Sequence, residues 1–216
     1  MVIQIILEII IVLFGTCGLL IHSGWLSGNP RKNFFRYYTN LSNLLVVMFY
    51  LIRTVVRITR NYEGFFGRIV FSELWFFSVT MSIVLTFGIY HFLLMPTFRK
   101  APPESDEFKF SHSYSNYLVH YVVPLLSLLN WLIFVDKNAI QYQWAFIWIV
   151  IPMIYMVYSI IRGLRGDIID NTDSAYPYDF MDIGKYGWAV FIRNILVVTV
   201  VFIALGLLLL FIRKMI

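Results

Sequence analysis

Thr39 and His120 are the pair in this chain best suited to act together, since each stands where a long apolar segment begins and each belongs to a stripe of polar side chains. A hydroxyl whose proton passes to an imidazole can attack an acyl carbonyl. Asn116, His120, Ser127 and Asn130 fall at offsets 0, 4, 11 and 14, one face of a 3.6-residue period. Thr39, Ser42 and Asn43 form a second such stripe. Asn43, one turn beyond Thr39, and Asn40 beside it are candidate donors to an oxyanion, which the dipole at the start of their helix would also favour. Pro124 lacks the N–H that would bond the carbonyl of His120, so a kink and a free carbonyl are expected beside the imidazole. A plainer reading makes Thr39 a helix N-cap and His120 an interfacial histidine bonded to a neighbouring helix.

The elements that carry these residues are membrane helices. Of the 216 residues 60% are hydrophobic and only 13% are Asp, Glu, Lys or Arg, against about 25% charged in a soluble domain. Mean hydropathy is +0.76. Six stretches approach the ~20 apolar residues that cross a bilayer: Val2 to Ile21, Leu41 to Ile58, Leu74 to Met95, Tyr117 to Val135, Trp144 to Ile161 and Trp188 to Ile212. The expected fold is therefore all-α, a single domain over residues 1–216 built as a bundle of six transmembrane helices. The first stretch lacks a basic leader and exceeds the usual signal-peptide core, so it is expected to be a mature helix. The chain is expected to be a multi-pass protein of the cell membrane, with membrane lipids as its surroundings. One cysteine, Cys17, excludes an internal disulfide and a thiolate cluster. The net charge of +5 is spread over short connections rather than one basic block, which excludes nucleic acid as a partner.

Six helices place both termini on one face. That face carries seven basic residues, among them Arg53, Arg57 and Arg68, and the opposite face carries ten, a difference too small to orient the chain. All four histidines, His22, His91, His112 and His120, map to the face opposite the termini. Polar groups at membrane depth normally face a bundle interior or a wet cavity, so the two stripes are expected to share one.

Other chemistries fit less well. Haem would need ligands on facing helices, where only His91 and His120 are placed, and zinc through His91, His112 and His120 lacks close spacing. No cofactor and no metal are expected. His91, Ser127, Asn130 and Arg193 are candidate substrate-binding residues, Arg193 for a carboxylate. Asn116 and Asp182 are candidate orienting groups for His120. The other acids of the last connection, Asp167, Asp170, Asp173 and Asp179, do not follow a calcium-loop pattern. Glu73 is expected to form an ion pair with Arg53, Arg57 or Arg68. Pro152 is expected to produce a simple packing kink.

Three motifs carry a family resemblance. Phe35-Arg36-Tyr37-Tyr38-Thr39-Asn40-Leu41-Ser42-Asn43-Leu44-Leu45 resembles the aromatic-Thr-x-x-Ser-Asn-Leu opening of helix two in an uncharacterised bacterial family of six-helix membrane proteins. Asn116-Tyr117-Leu118-Val119-His120-Tyr121-Val122-Val123-Pro124, followed by Leu129-Asn130-Trp131, resembles its helix-four motif, where an acid often stands at the position of Asn130. Tyr176-Pro177-Tyr178-Asp179-Phe180-Met181-Asp182 resembles its Tyr-Pro-Tyr-Pro-Phe-Leu-Asp loop, with Asp179 in place of the second proline. That family is similar in layout to the androgen-induced transmembrane hydrolases, which cleave fatty-acid esters of hydroxy fatty acids with an intramembrane threonine and histidine. The resemblance implies Thr39 as nucleophile, His120 as base and a lipid or fatty-acyl ester as substrate. A different class, a non-catalytic lipid-binding or transport protein, would use the same polar cavity only to hold a headgroup.

Overall fold

The computed structural model describes residues 2–169 and 172–216; Asp170 lies outside them. Six helices are long and apolar enough to cross a membrane, which makes the chain an integral, multi-pass membrane protein: α1 (Val2–His22), α2 (Tyr38–Thr59), α3 (Glu73–Phe98), α4 (Tyr114–Phe134), α5 (Trp144–Leu164) and α6 (Ile183–Met215). No strand occurs among the described residues. The helices extend past the expected spans chiefly at polar ends. Tyr38, Thr39 and Asn40 already belong to α2, because interfacial residues take helical geometry without adding to hydropathy.

α3 is the central helix. Of its apolar window 67% is buried, against 17% for α6 at the periphery, and a helix apolar all round belongs in the interior. α1 packs on α2 and α4, while α3 packs on α2, α4 and the start of α5. Gly15 of α1 makes the first of these contacts possible: an added Cβ would lie 2.5 Å from a methyl of Val47 on α2. Small residues let membrane helices approach this closely.

Three prolines shape the helices around the site. In α4 the turn over Leu118–Val122 is of π type, two residues ahead of Pro124, so the expected kink takes the form of a wider turn at His120. α3 repeats the device over Tyr90–Leu94, ahead of Pro96. Pro152 splits α5 after Ile147; the carbonyl of Trp148, which would otherwise lose its partner, accepts instead from the N–H of Ile151 at 3.2 Å. α6 bends at Gly187, whose φ of 75° suits only a residue without a Cβ.

Candidate functional site

Thr39 is the second residue of α2, so the N-cap role belongs to Tyr37 and the threonine hydroxyl is free for other partners. His120 lies in the wide turn of α4. The fold brings them together: Thr39 Oγ1 and His120 Nε2 are 3.2 Å apart across 81 residues of chain, and both are buried. The other ring nitrogen, Nδ1, is 3.1 Å from the main-chain carbonyl of Asn116. A carbonyl only accepts, so in the neutral ring Nδ1 carries the hydrogen and Nε2 presents its lone pair to the threonine hydroxyl.

Tyr90 of α3 holds the imidazole from one side. Its ring stacks on His120 with centroids 3.9 Å apart, and its hydroxyl accepts from Asn116 Nδ2 at 2.5 Å. The second hydrogen of Asn116 Nδ2 goes to the carbonyl of Ser111 at 2.9 Å. Asn116 thus fixes His120 through its main chain, and Tyr90 through its side chain.

Two of the sequence expectations are corrected here. Asn43 does not aim a donor at Thr39 Oγ1, because its two amide hydrogens are committed to the carbonyls of Thr39 at 2.8 Å and Val119 at 3.0 Å. It clamps α2 to α4 one residue before His120. Asp182 does not orient His120 either. It caps α6 by accepting from Lys185 N–H at 2.9 Å and accepts from Ser174 Oγ at 2.6 Å. Asn40 donates to the carbonyl of Phe34 at 2.6 Å, fastening the preceding connection to α2.

The remaining candidates lie apart from the pair. His91 meets the Tyr121 hydroxyl at 3.2 Å and stacks on Phe87, half-buried. Arg193 is exposed, with its guanidinium on Asn194 Oδ1. Ser127 and Asn130 are fully buried in the half of the bundle nearer the termini, beside Tyr50, whose hydroxyl reaches the Ser127 carbonyl at 3.5 Å. Neither lines the cavity at Thr39. Among the described residues, no group of three His, Cys, Asp or Glu side chains is arranged to hold a metal.

Tyr178 is the site residue that spacing alone did not single out. It sits on the loop between α5 and α6 and is buried, with its hydroxyl accepting the main-chain N–H of Thr39 at 3.3 Å and within hydrogen-bond reach of the Thr39 side chain. Burial pushes its phenol up to about 12, so the hydroxyl keeps its hydrogen at neutral pH. The only sequence signal was its place in the Tyr-Pro-Tyr motif. The loop is tied down around it. Arg162 donates to the carbonyls of Asp167 at 2.9 Å and of Ala175, Arg36 donates to the carbonyl of Ile168 at 3.2 Å, and the Tyr176 ring occupies the space where Gly163 has no side chain.

Beneath this loop lies a cavity of about 90 Å³. Thr39 and Tyr178 stand at its polar end, and Leu85, Trp148, Met153 and Phe202 are among the residues of its apolar walls.

A second polar cluster occupies the other end of the bundle. Glu8, fully buried in α1, receives Arg53 Nε at 3.1 Å and Arg57 at 3.0 Å, with Thr54 Oγ1 at 3.4 Å. The Arg53 guanidinium also lies 4.3 Å from the ring centre of Phe76 and donates to the Val70 carbonyl. Arg53 and Arg57 therefore pair with Glu8, not with Glu73 as the sequence suggested. A lone charged residue inside the largely apolar run Val2 to Ile21 was the available signal.

No family model matches the chain, and no curated protein or solved structure matches it.

Proposed function

We propose that this protein is an intramembrane hydrolase of lipid carboxylic esters, with Thr39 as nucleophile and His120 as general base. The observation that carries the reading is the Thr39–His120 contact of 3.2 Å, with the imidazole's other nitrogen held by a group that can only accept. In the first step Thr39 Oγ bonds to the ester carbonyl carbon while its proton passes to His120 Nε2. The tetrahedral intermediate collapses with loss of the alcohol, which takes that proton, and leaves an acyl-threonine. Water then attacks the acyl carbon, giving its proton to His120. Collapse releases the carboxylic acid and returns the proton to Thr39.

Tyr178 takes the part first assigned to Asn43. Its hydroxyl accepts the Thr39 main-chain N–H and keeps its own hydrogen, and a carbonyl oxygen at the threonine would accept from it as negative charge develops. The resemblance to the transmembrane threonine hydrolases supports the same assignment of Thr39 and His120. The runner-up, a transport or lipid-binding protein, would use the same cavity only to hold its ligand.

Purified protein in detergent should react covalently with a lipophilic fluorophosphonate at Thr39, read by mass spectrometry, and should turn over an acyl ester. Thr39→Ala and His120→Ala should each abolish turnover, and the double variant should lose little more, because members of one catalytic unit are not additive. Full turnover by folded Thr39→Ala protein overturns the nucleophile assignment. Saturable lipid binding with no labelling and no turnover would establish the runner-up.

A further inference from the structure

The cavity at Thr39 has a floor, and the floor limits what can be bound. On α5 its wall runs from Met156 to Trp148, and on α6 from Ile195 to Phe202. At 1.5 Å per residue these walls are about 12 Å and about 10 Å deep. One leaflet of the hydrocarbon core is about 15 Å thick, so the cavity is shorter than a full membrane acyl tail. Trp148 and Phe202, both buried, are the lining residues of α5 and α6 farthest along the helices from the Thr39 end, and Phe202 is held against α3 where Gly88 leaves room for its ring. Thr86, Thr199, Tyr38, Tyr90 and Tyr155 add hydroxyls to the lining, and no charged side chain among the described residues lines the cavity.

The geometry points to a single extended acyl chain of about eight to ten carbons as the occupant, with its carbonyl at Thr39 and its methyl end against Trp148 and Phe202. Single carbon–carbon bonds of about 1.5 Å project about 1.25 Å each along an extended chain, which gives this length for a depth of about 10 to 12 Å. An uncharged lining excludes a charged group at the far end. The direction of the chain rests on the ester-hydrolase reading; the length limit rests on the cavity alone.

The expected signature is a cut-off rather than a slope. A tail already dissolved in a micelle gains little from each further methylene buried in protein, because both surroundings are apolar, whereas a chain longer than the cavity must displace packed side chains. Two series should be measured at fixed mole fraction in detergent: p-nitrophenyl esters from four to eighteen carbons for turnover, and non-hydrolysable 1-O-alkyl glycerol ethers of the same lengths for thermal stabilisation. In both, the response should hold to about ten carbons and fall at least tenfold by sixteen. Phe202→Ala should move the limit outward by two or more carbons, and Met153→Trp, which fills the cavity part-way, should move it inward.

A sixteen-carbon chain as effective as a ten-carbon one in both series, or a limit unmoved in a folded Met153→Trp protein, overturns the proposal. Failure of the hydrolase reading looks different. It would leave every ester intact while the ethers still show the cut-off and its shifts, which supports the length limit.

Discussion

At the residue scale, the donors around Thr39 divide by what they already hold. Both amide hydrogens of Asn43 are engaged, while the Tyr178 hydroxyl retains a hydrogen. Tyr178→Phe should therefore lower kcat by about 10² to 10³ with little change in ground-state affinity, the pattern of a donor acting in the transition state. Asn43→Ala should act first on stability. Its one interhelical bond, to the Val119 carbonyl, predicts a loss of about 0.6 kcal/mol, with turnover per folded molecule falling less than tenfold. Steady-state kinetics and thermal unfolding of the two variants side by side check this. If well-folded Asn43→Ala loses as much turnover as Tyr178→Phe, the oxyanion role returns to Asn43.

At the element scale, the loop between α5 and α6 is a structural part of the site because it delivers Tyr178 to the start of α2. Its tie to Thr39 should be visible in the alkaline limb of the stability curve. The Tyr178 phenol is raised by burial from 10.0 to about 12, so above pH 10 the unfolded chain has lost a proton that the folded protein still holds. The contribution is fully present below pH 10 and is lost as pH rises toward about 12. Thermal unfolding followed from pH 9 to pH 12 should fall less steeply in Tyr178→Phe than in the wild type; an identical slope would mean that the phenol is not buried. Gly163→Ala tests the same loop from the other side, since its Cβ would lie 2.3 Å from the Tyr176 ring. Limited proteolysis within residues 165–182 should accelerate in that variant.

At the scale of the whole molecule, the bundle keeps two polar ends with different tasks. Glu8, Arg53 and Arg57 join α1 to α2 at the end where the termini lie, and Thr39 to Arg53 spans about 21 Å along α2. Removing one member of a buried ion pair leaves the others uncompensated, which typically costs 3 to 5 kcal/mol. Glu8→Gln should lower thermal stability by that order, and Glu8→Met with Arg53→Met should recover part of it. At this separation the effects on the two ends should be additive, so turnover per folded molecule should stay within about twofold. A selective loss of turnover in folded Glu8→Gln protein would show that the two ends are coupled.

The helices and their number were legible in the sequence because transfer into a bilayer depends on local composition, and six apolar runs of sufficient length leave few alternatives. The facing stripes on α2 and α4 were legible for a similar reason, since a 3.6-residue period puts Thr39 with Asn43 and Asn116 with His120 on one side of each helix. What no period conveys is the partner across a gap. The 81 residues between Thr39 and His120 close only when α2 and α4 pack, and the same packing gives Asn43 the Val119 carbonyl as a partner. The same limit hid Tyr178, a loop residue with no helical register, and hid the destination of Arg53, whose charge found Glu8 on another helix. Local transfer energies determined which segments cross the membrane. The competition of each buried polar group for a partner, decided only once the helices and the loop are in place, determined which side chains meet at Thr39.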